Sequence, residues 1–138
     1  MALKSPEQAL RSVLLNDATV SAAIGTKVFP VLAPADVELP FITYRRAAIE
    51  REQTLGLPMG VPRVTIDFVV YALTYEAARE AADAVRLALD GYSGTVDTVT
   101  VRQTSLENES DDFVTLASAE MPPVYSVTLT FDCWWQET

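Results

Sequence analysis

The chain has 138 residues, 49% of them hydrophobic, and ten Lys and Arg against nineteen Asp and Glu give a net charge of −9. This length fits a single domain over residues 1–138, with room for one hydrophobic core. A protein that binds DNA tightly needs a basic face to neutralise phosphates, so the composition argues against tight nucleic-acid binding. An acidic surface could still lie close to DNA that moves past it without being bound.

Cysteine and histidine usage restricts the chemistry further. Cys133 is the single cysteine, so no intrachain disulfide can form and a reducing compartment is expected. The chain has no histidine, which excludes Ser-His-Asp and Cys-His catalysis. It also excludes a zinc site in which histidines would join the single cysteine as ligands. The start MALKSPEQAL lacks the apolar run of a secretory signal, and no apolar run is long enough to span a bilayer. We therefore expect a protein that stays in the cytoplasm or leaves by a route other than secretion.

The N-terminal residues predict two short helices that form one broken helical element. Ser5 is a suitable N-cap, Pro6 suits the first helical position, and Gln8 completes a capping box. Hydrophobic residues then recur at the spacing of a buried helical stripe: Leu10, Val13 and Leu14. Asp17 is placed to cap the second helix, and Gly25 is placed to close it in the left-handed conformation.

The next segment predicts a short extended piece, a loop and a strand. The extended piece covers residues 27–32 and is interrupted by Pro30. A loop follows at 33–40, and residues 41–49 alternate as a strand. Pro40 makes the start of that strand an edge or entry position, because proline cannot donate to a central ladder.

The clearest strand is 63–73, and it leads directly into a helix. Its inward face is expected to hold alternate apolar residues: Val64, Ile66, Phe68, Val70 and Ala72. Thr74 caps the following helix and Gly91 stops it. The buried stripe of this helix is mostly alanine: Ala78, Ala81, Ala82, Val85 and Leu89. Small side chains let a helix lie close to a sheet, so we expect this helix to pack flat on the strands.

Two more alternating segments, 98–106 and 125–135, predict the remaining strands, and long loops are expected at 50–62 and 107–123. The last strand is expected to point one set of residues inward: Val127, Leu129, Phe131, Cys133 and Trp135. The order of elements indicates an α+β domain. We expect an antiparallel sheet of about four strands with two helices packed on one face, leaving the other face for a neighbour.

No enzymatic site stands out, and neither a cofactor nor a metal is expected. The carboxylates of Glu109–Phe113, with Glu107 before them, could hold a divalent cation, but a solvated loop is the favoured interpretation. Glu50 and Glu52 are not distinguishable from any two exposed glutamates. Cys133 lies on the inward face of a strand, where an inert buried thiol is expected.

Two features predict contact surfaces. The segment 50–62 is long for a connection and carries Leu55, Leu57 and Met59 between glycines and prolines. It is either a contact surface or a loop that folds back over the sheet edge. The adjacent Trp134 and Trp135 must face opposite sides of a strand, so one joins the core. The other, with nearby apolar residues, makes the second sheet face half-apolar and suitable for burial in an oligomer.

Arg45 and Arg46 also face opposite sides of their strand. One interpretation is a strand end that simply reaches solvent. The other is that one arginine pairs across a subunit boundary with an acidic segment of the neighbouring copy, since the chain has an excess of acidic residues.

The pieces together resemble a known family. The chain reads, in order, AAIGTKVFP, LPFITYRR, RVTIDFVVYALTYEAA, ALDGYSGTV and YSVTLTFDCWW. This order, from about Leu10 to Trp135, resembles the DUF3168 family of tail completion, or tail terminator, proteins of long-tailed phages. The most telling residues are structural: Gly25, Val28, Pro30, Pro40–Tyr44, Leu89–Gly91 and Gly94. The segment 114–123 is longer than the family pattern leads us to expect.

The resemblance implies a virion structural protein, made in the host bacterial cytoplasm, that forms a hexameric ring at the head-proximal end of a tail tube. Its partners would be other copies of itself, the tail tube protein and the head-side connector, and DNA would pass through the lumen without specific binding. The resemblance implies that the same role occurs in phage-like particles such as gene transfer agents. Such a ring needs two complementary edges on each subunit.

Other functions remain open at this point. A head-side connector, a head completion protein or a minor tail protein would also be a small α+β ring former. A small enzyme or ligand-binding α+β domain that merely dimerises would show a pocket with a strongly perturbed carboxylate. An intracellular adaptor would not co-purify with particles.

Overall fold

The computed structural model describes residues 6–31, 38–50, 53–54, 57–58, 63–96, 99–114 and 124–136. The helices in this part of the chain are α1 (Pro6–Asn16), α2 (Ala18–Ile24) and α3 (Tyr75–Leu89). The strands are β1 (Val28–Pro30), β2 (Phe41–Glu50), β3 (Gln53–Thr54), β4 (Leu57–Pro58), β5 (Arg63–Ala72), β6 (Gly94–Val96), β7 (Val99–Val114) and β8 (Val124–Gln136). No described helix is long and apolar enough to cross a membrane.

The helix ends follow the capping residues in the sequence, with one difference. The Asp17 carboxylate accepts from the N–H groups of Thr19 and Val20 at 3.0 and 3.1 Å, and so caps α2 as predicted. Gly25 ends α2 with φ 65° and ψ −126°. The positive φ favours glycine, but this ψ lies outside the left-handed helical region that we predicted. Ser5, the predicted cap of α1, lies outside the described residues.

The third helix begins and ends where the sequence predicts. The Thr74 hydroxyl accepts from the Ala77 N–H at 3.1 Å and satisfies one of the unpaired donors of the first turn. The chain leaves the helix at Asp90 and then Gly91, whose φ is 80°. All five residues of the predicted apolar stripe are buried: Ala78, Ala81, Ala82, Val85 and Leu89.

The main sheet has six strands in the order β1-β2-β5-β8-β7-β6, and β3 and β4 form a separate two-stranded sheet. β1 pairs with β2 in parallel, whereas the other neighbours in the main sheet are antiparallel. The α+β class is therefore confirmed, but the expected antiparallel sheet of about four strands with two helices is wrong in detail. β1 and β6 have three residues each, which is too short for alternation to reveal them.

The core lies between one face of this sheet and the helices. The predicted inward residues of β5 and β8 are buried without exception. α3 packs on β5, β8 and β7, and α1 packs on β2, β6 and β7. The described helices thus lie on one face of the sheet, as the sequence predicts.

β7 is much longer than the strand predicted at 98–106. It continues to Val114, and the predicted loop at 107–123 is replaced in part by a hairpin in which Val114 pairs with Val124. The polar run ENESDD is typical of a loop, but hydrogen bonding to β8 holds it in a strand. Register shifts between Val101 and Gln103, and between Leu106 and Asn108, interrupt the ladder.

Candidate assembly surface

The sheet face opposite the helices carries the alternate residues of β2, β5 and β8. Along β5, half-buried residues alternate with fully buried ones over the whole strand. The half-buried set comprises Arg63, Thr65, Asp67, Val69 and Tyr71. Because the described helices pack on the opposite side, we refer to this side as the uncovered face.

The centre of the uncovered face is a polar ladder made by two copies of the pattern Thr-x-Asp. Thr65 lies opposite Asp132, and Asp67 lies opposite Thr130, in the antiparallel pairing of β5 with β8. The Thr65 hydroxyl donates to the Asp132 carboxylate at 2.8 Å, and the Thr130 hydroxyl donates to the Asp67 carboxylate at 2.8 Å. Both hydroxyls and both carboxylates are therefore paired within the chain.

Each aspartate of the ladder also has an arginine beside it. Arg45 Nη2 lies 3.4 Å from Asp67 Oδ2, and Arg63 Nη1 lies 4.0 Å from Asp132 Oδ2. The two carboxylates are only 15% and 14% exposed, whereas the Arg45 side chain is 64% exposed. The ladder thus presents arginines to solvent over two shielded carboxylates.

Aromatic rings occupy the end of the uncovered face nearest β1. The ring centroids of Phe29 and Phe41 are 6.5 Å apart, and those of Phe41 and Tyr71 are 5.0 Å apart. Trp134 is at the opposite end, paired across the strands with Arg63 and Gln103, and is half-buried. The predicted half-apolar face is therefore apolar at its two ends and polar at its centre.

The two arginines of β2 face opposite sides, as the sequence predicts. Arg45 lies on the uncovered face, whereas Arg46 lies on the helix side, where its Nε bonds the Glu7 carboxylate of α1. The Arg46 guanidinium also lies 5.8 Å from the centroid of the Trp135 ring. Both arginines already have an acidic partner in their own chain, and the more exposed Arg45 is the better placed for a second one.

The predicted contact loop at 50–62 is described only in part. Leu55 and Met59 lie outside the described residues, and Leu57 is placed in β4 by its backbone alone. Its role as a contact surface stays a prediction.

The carboxylates around 107–113 lie in β7 and are held by α3. Arg79 Nη2 lies 3.2 Å from Glu109 Oε1 and 3.2 Å from Asp83 Oδ1, and Arg79 Nη1 lies 3.0 Å from Asp111 Oδ1. The Tyr75 hydroxyl donates to Asp111 at 2.7 Å, and this bond raises the pKa of Tyr75. The favoured interpretation as a solvated loop is therefore wrong about the loop, because these residues lie in β7, but Glu107, Asp111 and Asp112 are exposed as it predicted. No group of carboxylates, Cys or His in the described ranges is arranged to hold a metal ion.

Cys133 is buried on the inward face of β8, as expected. Burial raises the pKa of its thiol to about 12, which is far from the range of a reactive cysteine.

A cleft of about 430 Å³ between α1 and β1 was not predicted from the sequence. It is lined by Gln8, Arg11, Ser12, Val28, Phe29, Pro30 and Tyr44. Arg11 Nε donates to the Val28 carbonyl at 3.0 Å and so joins α1 to the edge of the sheet. Burial raises the pKa of Tyr44, and the lining includes no carboxylate. Among the described lining residues there is therefore no carboxylate of the kind that the ligand-binding alternative predicts.

Comparison with known proteins identifies a family and a solved structure with a similar fold. The family model "Tail completion protein gp17" matches residues 8–136. A solved structure titled "Virion of native gene transfer agent (GTA) particle" contains a chain that superposes with a TM-score of 0.76 at 16% sequence identity. The match covers 96% of this chain and 95% of that chain, and at this identity it establishes the shared fold. No curated protein matches the chain by sequence.

The family match spans almost the whole chain, from α1 to the end of β8. It therefore includes the six-stranded sheet, the helices that cover one face and the uncovered face opposite them. The chain belongs to the tail completion protein gp17 family, and it is a structural protein of the virion tail.

Proposed function

We propose that the protein forms a hexameric ring at the head-proximal end of the tail tube, where it ends tube polymerisation and joins the tail to the head-side connector. The observation that carries this proposal is the family match over residues 8–136. The fold is compatible with it, because one sheet face and two different sheet edges remain for neighbours. Heterologous contacts between unlike edges generate a closed ring when the rotation closes. The role is structural and needs no cofactor.

Arg45 and Trp134 are the described residues of the uncovered face that we assign to contacts in the particle. Arg45 is mostly exposed, and Trp134 offers aromatic area of the kind enriched at interfaces. Leu55, Leu57 and Met59 would add an apolar contact from the connection between β2 and β5. Arg46 forms an ion pair with Glu7 inside the subunit, so reversing its charge would also disturb the fold. Arg45→Glu alone therefore tests assembly more cleanly than charge reversal at both arginines.

The proposal is tested by deleting the gene from the phage or prophage that encodes it and imaging the particles by negative stain. We expect overlong, headless tails beside full heads, because tube growth would have no stop. Normal tails beside leaking or empty heads would assign the protein to the head-side connector instead. Unchanged, infectious particles would overturn a role in the tail.

A complementation series is the matched control. The wild-type gene supplied in trans should restore tails of uniform length, and Arg45→Glu should fail to do so. Arg86→Glu, on α3 away from the uncovered face, should restore them as well as the wild type does. Equal rescue by both variants would remove Arg45 from the proposed contact.

A further inference from the structure

One edge of the main sheet is the outer side of β7, and the described residues that pair with it lie along its first half. β6 pairs with Val99–Val101. The Gly91 N–H then donates to the Thr104 carbonyl at 2.7 Å, and the Leu106 N–H donates to the Asp90 carboxylate at 3.1 Å. Beyond the register shift that follows Leu106, no described residue pairs with the outer side of β7.

The direction of the backbone groups in this second half follows from the ladder. In an antiparallel pair, alternate residues direct their N–H and C=O groups toward the partner strand or away from it. Thr104 and Leu106 direct theirs away from β8, and the extra residue at the shift moves the alternation by one. Glu109, Asp111 and Phe113 therefore direct backbone groups outward. A row of such groups is a template for another strand.

On the opposite edge, the described strand β1 likewise pairs with one half of β2. β1 lies beside Ile42–Tyr44 of β2, where the Ile42 N–H donates to the Lys27 carbonyl at 2.9 Å and the Val31 N–H donates to the Tyr44 carbonyl at 2.8 Å. From Arg45 to Glu50, β2 has β5 on one side and no described strand on the other.

The second half of β7 and residues 45–50 of β2 carry net charges of opposite sign. On β2 beyond Tyr44 the charged residues are Arg45, Arg46 and the terminal Glu50, and each arginine also lies beside a carboxylate of its own chain. Carboxylates on the second half of β7 are Glu107, Glu109, Asp111 and Asp112, and Arg79 is the cation that bonds two of them. Complementary charge steers and orients association even where it adds little affinity. The acidic second half of β7 is therefore complementary in charge to residues 45–50 of β2 in another copy.

We infer that residues 45–50 of β2 in one copy add to residues 107–114 of β7 in the next copy, so that the main sheet continues from subunit to subunit. Strand addition of this kind gains affinity from backbone hydrogen bonds. Three antiparallel steps separate β7 from β2, so the two strands run in opposite directions within a subunit. Copies related by rotation about the ring axis would then meet in antiparallel pairing. This inference rests on the proposed ring and names its lateral contact.

The positions of β1 and β6 require a stagger between copies. Within one copy, Ala48 is level with Ser105, through Thr65 and Asp132. Because Asp90, Gly91 and β6 cover that part of β7, the contact that we infer places Ala48 further along β7 of the neighbour, opposite Ser110 or Asp112, which lie on the same sheet face. Measured along β8, the shift is from Asp132 to Thr128 or to Ser126, which is ~13 or ~20 Å at about 3.3 Å per residue. Tilted strands that close into a ring need a stagger of this kind.

Engineered cysteines test both the contact and the stagger on the full chain. Ala48→Cys is combined in one chain with Ser110→Cys and, separately, with Asp112→Cys, and the purified proteins are oxidised and run on non-reducing gels. We expect a ladder of covalent oligomers with at least one pair, because the two thiols would face each other across copies. The control pair Ala48→Cys with Ser105→Cys, which is level within a copy, should give no ladder.

Light scattering of the same samples separates the two proposals. A ring with no ladder from either staggered pair would overturn the edge contact and leave the ring in place. A ladder from the level pair would overturn the stagger. A chain that remains monomeric in solution is mixed with tail tubes before oxidation, and the absence of a ladder there would overturn the edge contact. Native Cys133 can stay in place, since it is buried and the wild-type protein should form no ladder.

Discussion

Asp67 is the residue on which the uncovered face depends most. It accepts from the Thr130 hydroxyl and lies 3.4 Å from the Arg45 guanidinium, while its own side chain is only 15% exposed. A carboxylate removed from water to this extent needs such partners. The same pattern at Asp132 gives a second, equivalent site. The ladder therefore stabilises the monomer and also fixes the position of Arg45.

Asp67→Ala is expected to destabilise the protein by about 1–3 kcal/mol, because the Thr130 hydroxyl and Arg45 lose their acceptor. Asp67→Asn should be milder, since an amide oxygen can still accept from Thr130. Urea unfolding followed by tryptophan fluorescence measures both variants. Glu80→Ala, on the exposed side of α3, is the control and should stay within about 0.5 kcal/mol of wild type. A neutral Asp67→Ala would remove the ladder from the account of stability.

Cys133 predicts a pH dependence of stability at alkaline pH. Burial raises its pKa to about 12 from the ordinary value of 9.0, so the unfolded chain releases this proton before the folded chain does. Between these two values the folded state binds more protons, and the free energy of unfolding must fall as pH rises. The slope from this one group reaches about 1.4 kcal/mol per pH unit.

The free energy of unfolding of wild type and Cys133→Ala, measured from pH 8 to pH 11, checks this dependence. Cys133→Ala leaves a small cavity that lowers its free energy of unfolding at every pH, so the two proteins are compared by their slopes. Tyrosine titration contributes equally to both proteins. Parallel curves for the two proteins would contradict the raised pKa.

At the scale of elements, Arg79 joins α3 to the second half of β7. It contacts Glu109 and Asp111 on the strand and Asp83 on its own helix. Arg79→Gln should loosen the far end of the β7–β8 hairpin, because its carboxylates would then repel one another without a shared cation. We expect faster amide hydrogen exchange in 108–114 and a loss of about 1–2 kcal/mol in the free energy of unfolding.

Arg86→Gln is the matched control for Arg79. It removes an arginine from the same helix, but Arg86 lies 3.9 Å from Asp83, and no ion pair between it and the described residues of β7 is seen. Its exchange pattern in 108–114 should match that of wild type. Identical protection in both variants would mean that backbone pairing with β8 alone holds the hairpin.

The elements that the sequence predicts well are those with a long, regular apolar period. β5, β8 and α3 bury the residues that alternation and helical spacing select. The second half of β7 was missed because its stabilising partners, Arg79 and the β8 backbone, are distant in sequence. The polar ladder had a signal that was not used, since Thr65-Ile-Asp67 and Thr130-Phe-Asp132 repeat one pattern in two strands. Opposite sides for Arg45 and Arg46 followed from strand geometry alone.

At the scale of the whole molecule, the distribution of charge matters more than its sum. Copies with a net charge of −9 repel one another at long range, yet the cationic side of β2 and the acidic side of β7 attract at contact. At about 0.1 M salt the repulsion is screened beyond ~10 Å, whereas groups in contact are screened much less. Lateral association of acidic subunits is therefore compatible with a surface that repels phosphate.

The same distribution predicts that the protein does not retain DNA, alone or assembled. Tight binding needs many unpaired cations along one surface, because each neutralised phosphate releases counterions. Here Arg45, Arg46 and Arg79 each lie beside a carboxylate of their own chain. An electrophoretic mobility assay with duplex DNA at low salt should show no shift. Glu76→Lys with Glu80→Lys, on the exposed side of α3, should raise any residual binding by reducing the net charge. A salt-sensitive shift with the wild-type protein would contradict a lumen through which the genome slides freely.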